Sequence, residues 1–508
     1  MGDRRGGRHA RPRDQVYRSS FFLLASSVTT AGLGFLFWVV VARFYSPEQV
    51  GVATSLISAT SLLSYLSLFG LNSTLVRFPA PDFARNGQFT QSIVLVAGTA
   101  CAAGVIYLAG LPLYGQKLVF IREHLWLAAA FVLFCACAAV NQLTDSVFIG
   151  ARMPQYNVLV DGLLQGLTKL ALPVALVGFG AVGIVGSTGG GYAVAVLASM
   201  LLMRRRLGFR FDFRTRGTRL REQLSFSVAS YVSSLLNLLP LMVIPLIVLQ
   251  QLGEAAAGYY YVAFQIASLL HAVSAAVGEA LFAEVSSDES RFAELLRRSA
   301  LITAAVQVPA VAVVAVGSGL LLRIFGGDYA TRAHGLLVVL ALGALAVALN
   351  TWASFSLKLA RKLTHLILSN VVYAVVTIGL AAAWAPRGLV WLGWAWGVGN
   401  LASGLYAVVA LFAGRAAAPV PAAPAPGAQQ YEQQYQQQYE QSYEQQYEQP
   451  YRQSYRQSYE QPYRPRAQEQ YQEQYPEQPA APPAGQPFRA SRTRPPGPEL
   501  IPTEGHHR

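Results

Sequence analysis

Long apolar runs and short polar breaks alternate along most of this chain. Twelve runs stand out, near 20–42, 50–71, 90–113, 125–148, 156–178, 181–203, 224–250, 256–283, 298–322, 334–357, 364–385 and 388–413. Roughly 20 apolar residues rising 1.5 Å each cross the ~30 Å hydrocarbon core of a bilayer. A helix of that length that is apolar on every side has no reason to sit in an ordinary soluble core. The pattern therefore predicts an all-α integral membrane protein of about twelve transmembrane helices. The run from Phe21 to Ala42 is too long for the apolar part of a signal peptide, and no small-residue cleavage site closes it before Arg43. It reads as a retained first transmembrane helix.

Charge gives the orientation. Charged residues make up 13% of the chain, against about 25% in soluble domains. Lys and Arg concentrate in alternate loops, as expected for cytoplasmic segments of membrane proteins. With the N-terminus inside, the inner segments before the tail carry 23 of them and the outer loops six: Arg43, Lys117, Arg122, Arg323, Arg332 and Arg387. This bias accounts for the net charge of +13 and argues against a nucleic-acid partner. Eight of the arginines lie in one loop, Arg204–Arg221. Its plain reading is an anchor on the inner face, in touch with anionic membrane lipids.

That loop also divides the spans six and six. The expected organisation is a basic cytoplasmic N-terminus (1–19), an N-terminal six-helix lobe (20–203), an Arg-rich linker (204–222), a C-terminal six-helix lobe (223–413) and a tail (414–508). The lobes share a short echo. Shifting the sequence by 207 residues places Gly51 on Gly258 and Ser61-Leu62-Leu63 on Ser268-Leu269-Leu270. Repeated halves with the substrate site between them are a transporter architecture.

After Gly414 the composition changes. A Pro/Ala linker leads to tyrosines at every fourth position from Tyr431 to Tyr463, spaced by Gln, Glu, Ser and Arg. With almost no Leu, Ile or Val, this tail cannot bury a core and is expected to be disordered. Parity places both termini in the cytoplasm. Alternating polar and aromatic residues fit either weak self-association or partner binding, or a merely solvated tail.

No motif of an enzyme is present: no phosphate-binding glycine-lysine loop, no HExxH, no GxSxG and no Cys/His metal spacing. Cys101, Cys135 and Cys137 lie within apolar runs as small hydrophobes. No cofactor is expected. Candidate chemistry rests on polar residues inside the spans, where a charge costs roughly 2.5–3.5 kcal/mol on insertion scales. Lys169 is the clearest case. Asp161, Gln165 and Lys169, spaced by four, form a polar stripe on one face of the fifth span. About 12 Å of rise separates Asp161 from Lys169 at 1.5 Å per residue, too far for an ion pair along the helix, so each is expected to meet a partner or water across a cavity. Asp145 closes the fourth span with Asn141 one turn before it; Arg77 closes the second; Glu279 and His271 lie in the eighth. The charged members of this set fit an inward-facing mouth or ordinary interfacial pairing. His271 fits a proton relay or a packing role. Asn237, Gln265, Asn350 and Asn400 fit contacts to sugar hydroxyls or hydrogen bonds between helices.

Three segments carry a family resemblance. Phe35-Leu-Phe-Trp-Val-Val-Val-Ala-Arg-Phe-Tyr-Ser-Pro-Glu-Gln-Val-Gly51, Ser67-Leu-Phe-Gly-Leu-Asn-Ser-Thr-Leu-Val-Arg-Phe78 and Asp145-Ser-Val-Phe-Ile-Gly-Ala-Arg152 resemble bacterial polysaccharide flippases, the O-antigen and exopolysaccharide exporters of the multidrug/oligosaccharidyl-lipid/polysaccharide superfamily. The resemblance implies two six-helix lobes around a central cavity in the cytoplasmic membrane, working by alternating access on a polyprenyl-diphosphate-linked oligosaccharide. A cationic cavity suits that diphosphate. Arg77 and Lys169 are the candidates to meet it, with Gln165, Asn237 and Gln265 as further cavity residues. Asp145, Asp161, Glu279 and His271 are candidates for gating or ion coupling. Expected partners are the lipid-linked oligosaccharide, membrane lipids and, through the tail, polysaccharide-assembly proteins. The rival readings are a multidrug antiporter of the same superfamily, a flippase of peptidoglycan precursors, and a membrane scaffold that acts through its tail.

Overall fold

A computed structural model describes residues 29, 32–77, 82–213, 220–287, 292–360 and 362–413. The basic N-terminus, residues 214–219 of the Arg-rich linker and the whole Tyr/Gln tail lie outside the described residues. Among those described, every regular element is a helix. Eleven helices are long and apolar enough to cross a membrane, and a shorter apolar one, Gly32–Phe44, precedes them. The first half comprises α1 (Gly32–Phe44), α2 (Pro47–Leu66), the short α3 (Leu71–Arg77), α4 (Asp82–Tyr114), α5 (Leu125–Gly150), α6 (Gln155–Ala175) and α7 (Ala181–Arg206). The second comprises α8 (Leu220–Leu252), α9 (Glu254–Ser287), α10 (Phe292–Val316), α11 (His334–Leu359), α12 (Leu363–Trp384) and α13 (Leu389–Phe412). The expected first span, 20–42, begins outside the described residues. The fifth and sixth spans, parted in sequence by little more than glycine-rich residues, are separate helices: a 3₁₀ turn and Gly180 at φ +55° break the chain between them.

Each half packs largely on itself. In the first, α5 packs on α4 and α7, and α6 on α7; in the second, α11 packs on α9, α10 and α13, and α12 on α13. Helix α2 joins the halves, packing on α5 and α7 on one side and on α8 and α9 on the other. Its start follows from the local sequence. Ser46 caps it, accepting from the Gln49 amide, while the Gln49 side chain accepts from the Ser46 amide at 3.1 Å, and Pro47 opens the first turn. Such a reciprocal box satisfies donors that a helix start leaves bare.

The crossing of α2 and α9 gives physical meaning to the 207-residue echo. Both helices start on it, at Pro47 and Glu254. A β-carbon added to Gly51 would collide with the Glu254 carbonyl oxygen; one added to Gly258 would collide with the Pro47 carbonyl oxygen. The contact is reciprocal, as a two-fold crossing of equivalent elements requires. Around it lies one large buried cluster drawn from both halves, including Tyr45, Val50, Leu118, Ile121, Tyr260, Phe325, Tyr329 and Trp396. The loops expected outside gather here. Arg43 donates to the carbonyls of Ile324 and Arg323 at 2.7 and 3.1 Å, a cation on the bare carbonyls of a helix end. At the opposite end the buried residues divide. Leu68, Phe89, Val147, Met203 and Phe209 form a first-half cluster that Tyr231 and Leu235 of α8 join. Leu295, Leu357, Leu366 and Leu411 form a second-half cluster. Among the described residues the two halves thus share one core at the Arg43 end, while at the other end two clusters lie apart and α8 reaches across to the first-half one.

The remaining recognisable segments also have structural roles. Phe69 and Gly70 adopt φ of +46° and +80°, turning the chain between α2 and α3. Gly150, in the Asp145–Arg152 segment, lies so close to α3 that a β-carbon would stand 2.9 Å from the Leu75 carbonyl oxygen.

Candidate functional site

The polar stripe of α6 is built on an irregular stretch of helix. Residues Val158–Gln165 form a π-helical segment, and the α-helix resumes at Gly166. A π segment inside a membrane helix often marks a functional site. The regular spacing by four thus describes the sequence but not the local geometry. Gln165 bridges the two charges: Lys169 donates to its Oε1 at 2.9 Å, while its amide nitrogen reaches Asp161 at 3.5 Å. To the partners expected from neighbouring elements the structure adds a carboxamide that links the pair along the helix.

Partners across the helices complete the group. Asn141 of α5 donates to Asp161 at 2.9 Å, and Asn157 of α6 donates to the Asp145 carbonyl oxygen at 3.3 Å. Asp145 faces Asp161. The Lys169 ammonium lies over the Tyr192 ring of α7, 4.2 Å from its centre, within the range of a cation–π contact. Room for this comes from Gly191: a β-carbon there would stand 2.7 Å from Lys169 Cγ and 3.0 Å from its Cε.

Two features give the cluster chemical capacity. Among the described residues, the ammonium contacts a carboxamide and an aromatic face, and no carboxylate pairs with it directly. An ammonium has three donors, so capacity for an anion remains. The acidic side has the opposite surplus. Asn141 Oδ1, Asp145 Oδ1 and Asn157 Oδ1 are buried acceptors without a hydrogen-bond partner. Buried acceptors left empty are costly, and a proton or a small cation would relieve them. No group of three or more His, Cys, Asp or Glu with metal-holding geometry occurs among the described residues.

Of the residues singled out in the sequence, the structure brings together Asn141, Asp145, Asp161, Gln165 and Lys169. Asn237 (α8), Gln265 and His271 (both α9) are partly buried in the other half. The side chains of Arg77 and Glu279 lie outside the described residues; their backbones are in α3 and α9. Asn350 and Asn400 join α11 to α13 through a 3.1 Å hydrogen bond, and Ser403 donates to Asn350 at 2.9 Å. Sequence reading missed Asn157, Gly191 and Tyr192. Asn157 alone carried a signal, standing four residues before Asp161.

A polytopic helical bundle of two packed halves, with a part-buried polar group among its spans, is the architecture of transporter folds built from two halves. Solved structures agree. The chain is similar to the lipid II flippase MurJ in an inward closed conformation, with TM-score 0.64 and 12% identity over 77% of this chain and 87% of that one. It is similar to an inward-facing multidrug resistance transporter of the MATE family in the MOP superfamily, with TM-score 0.56 and 15% identity over 75% and 94%. It is also similar to a MOP superfamily transporter from Pyrococcus furiosus described by the reverse polarity of its binding pocket, with TM-score 0.51 and 13% identity over 79% and 95%. At these identities the likeness establishes the fold. The family follows from the sequence: residues 40–333 match the polysaccharide biosynthesis protein family, and the chain belongs to it. No curated protein matches the chain.

Proposed function

We propose that this protein is a flippase that carries a polyprenyl-diphosphate-linked oligosaccharide across the bacterial cytoplasmic membrane for surface polysaccharide biosynthesis, with both termini in the cytoplasm. The observation that carries the reading is Lys169, a cation kept in a membrane helix without direct charge pairing. A buried charge there is expensive, and an anionic group arriving with the substrate would compensate it. Gln165 orients the ammonium, and Tyr192 supports it from the other side. Arg77 is the second candidate for the diphosphate; Asn237 and Gln265 are candidates for sugar hydroxyls.

Asp145 and Asp161 take the coupling role in this proposal. Their surroundings hold three unfilled acceptors, so a proton or monovalent cation has a place to bind while Lys169 is free of substrate. Glu279 and His271 remain gating candidates. Alternating access follows from the sealed Arg43 end and the divided opposite end: moving cargo requires the Gly51–Gly258 crossing to part as the other end closes.

A multidrug antiporter is the competing reading, and the surplus of acceptors beside the two carboxylates favours it. Complementation of a flippase-null strain discriminates. The proposal expects surface polysaccharide to be restored by the wild type, and lost with Lys169→Ala at equal membrane level. Drug resistance without restored polysaccharide would establish the antiporter instead.

A further inference from the structure

At the linker end of α7 the chain forms a second basic site, away from the polar cluster. Helix α7 ends in Arg204, Arg205 and Arg206. The next residues do not trail away. Gly208 turns the backbone at φ +65°, and Phe209 is buried, packing against Phe89 of α4 at 6.3 Å between ring centres. Arg85 donates to the Leu207 carbonyl oxygen at 3.2 Å, and the Asp212 amide donates to Thr90 at 3.0 Å. The strap 207–213 is therefore pinned across the end of α4, and Arg210 and Phe211 are held at fixed positions beside α7.

Between strap and helix lies an open pocket of about 680 Å³ lined by Met200, Leu201, Arg204, Phe209, Arg210 and Phe211, with Gly208 at the turn. Among the described residues its lining is largely apolar, and the charged ones, Arg204 and Arg210, are both arginines. Asp212, the carboxylate of the strap, is not among the lining residues. Leu201 and Phe211 are 48% and 59% exposed at this rim, as suits side chains that lie at acyl-chain level. A loop serving only the positive-inside bias needs cations, but it needs neither a fixed strap nor a shaped pocket.

We propose that this pocket binds the headgroup of an anionic phospholipid from the leaflet facing the linker. Arg204 and Arg210 grip the phosphate, and Met200, Leu201 and Phe211 border the first acyl carbons. The guanidinium pair selects the charge, and the apolar rim selects a lipid over a soluble phosphate.

The test uses the full chain, purified in detergent and titrated with phosphatidylglycerol or phosphatidylcholine, with bound lipid counted by native mass spectrometry. One variant carries Arg204→Gln with Arg210→Gln. The other carries Arg205→Gln with Arg206→Gln, which removes the same charge at two residues that do not line the pocket. The expected result is retention of phosphatidylglycerol over phosphatidylcholine, weakened roughly tenfold by the first variant and little changed by the second. Equal losses in both variants would overturn the proposal, because net charge would then suffice. Equal retention of the two lipids would overturn it as well. So would displacement of phosphatidylglycerol by a prenyl diphosphate at equal concentration, which would make the pocket an entry point for cargo.

Discussion

Lys169 lies along α7 because residue 191 there has no side chain. The clearance of 2.7 Å between a hypothetical β-carbon and Lys169 Cγ means that a branched side chain must push the lysine out of its contacts. Gly191→Val is expected to abolish transport as fully as Lys169→Ala while the protein still reaches the membrane; uptake of labelled lipid-linked saccharide by vesicles checks it. Tyr192 separates ring from hydroxyl. A cation–π contact is worth about 1–2 kcal/mol when desolvated, so Tyr192→Leu is expected to lower transport roughly tenfold. Tyr192→Phe keeps the ring and is expected to stay within about twofold of wild type. Lysine and aspartate were legible in the sequence because a charge in an apolar run is expensive and stands out. Gly191 and Tyr192 were not, since glycine and tyrosine are ordinary in membrane helices and acquire meaning only from the neighbouring helix.

Helix positions followed from hydropathy, which reads length and apolarity directly. The π-helical segment at Val158–Gln165 did not, because it is a matter of backbone register that spacing by four conceals. The crossing of α2 and α9 lies between these cases. An aligned glycine pair and a Ser-Leu-Leu triplet hinted at a repeat, but only the packing shows why both positions must be glycine. Gly51→Ala and Gly258→Ala are each expected to destabilise the sealed end by about 1–3 kcal/mol, the usual range for overpacking. Thermal unfolding in detergent measures the loss, and Val50→Cys, at a position fully buried beside the crossing, should label faster when combined with either variant. Unchanged melting and labelling in both would remove the crossing from the account.

The halves, the seal at one end and the divided cores at the other together describe a molecule that must rearrange in order to move cargo. The Lys and Arg bias placed the Arg43 and Arg323 loops on one side, and they do meet, Arg43 donating to the carbonyls of Arg323 and Ile324. The tail, with almost no Leu, Ile or Val, cannot bury a core of its own. Truncation after Gly414 is therefore expected to leave polysaccharide export close to wild type, scored in the complemented null strain; loss of export by truncation alone would favour the scaffold reading.

The most direct test reconstitutes the purified protein in vesicles and measures translocation of a fluorescent polyprenyl-diphosphate-linked oligosaccharide. The account predicts translocation by the wild type and at least a roughly tenfold loss in Lys169→Ala, as expected when a buried charge contact to the cargo is removed. Wild-type rates in Lys169→Ala would contradict it.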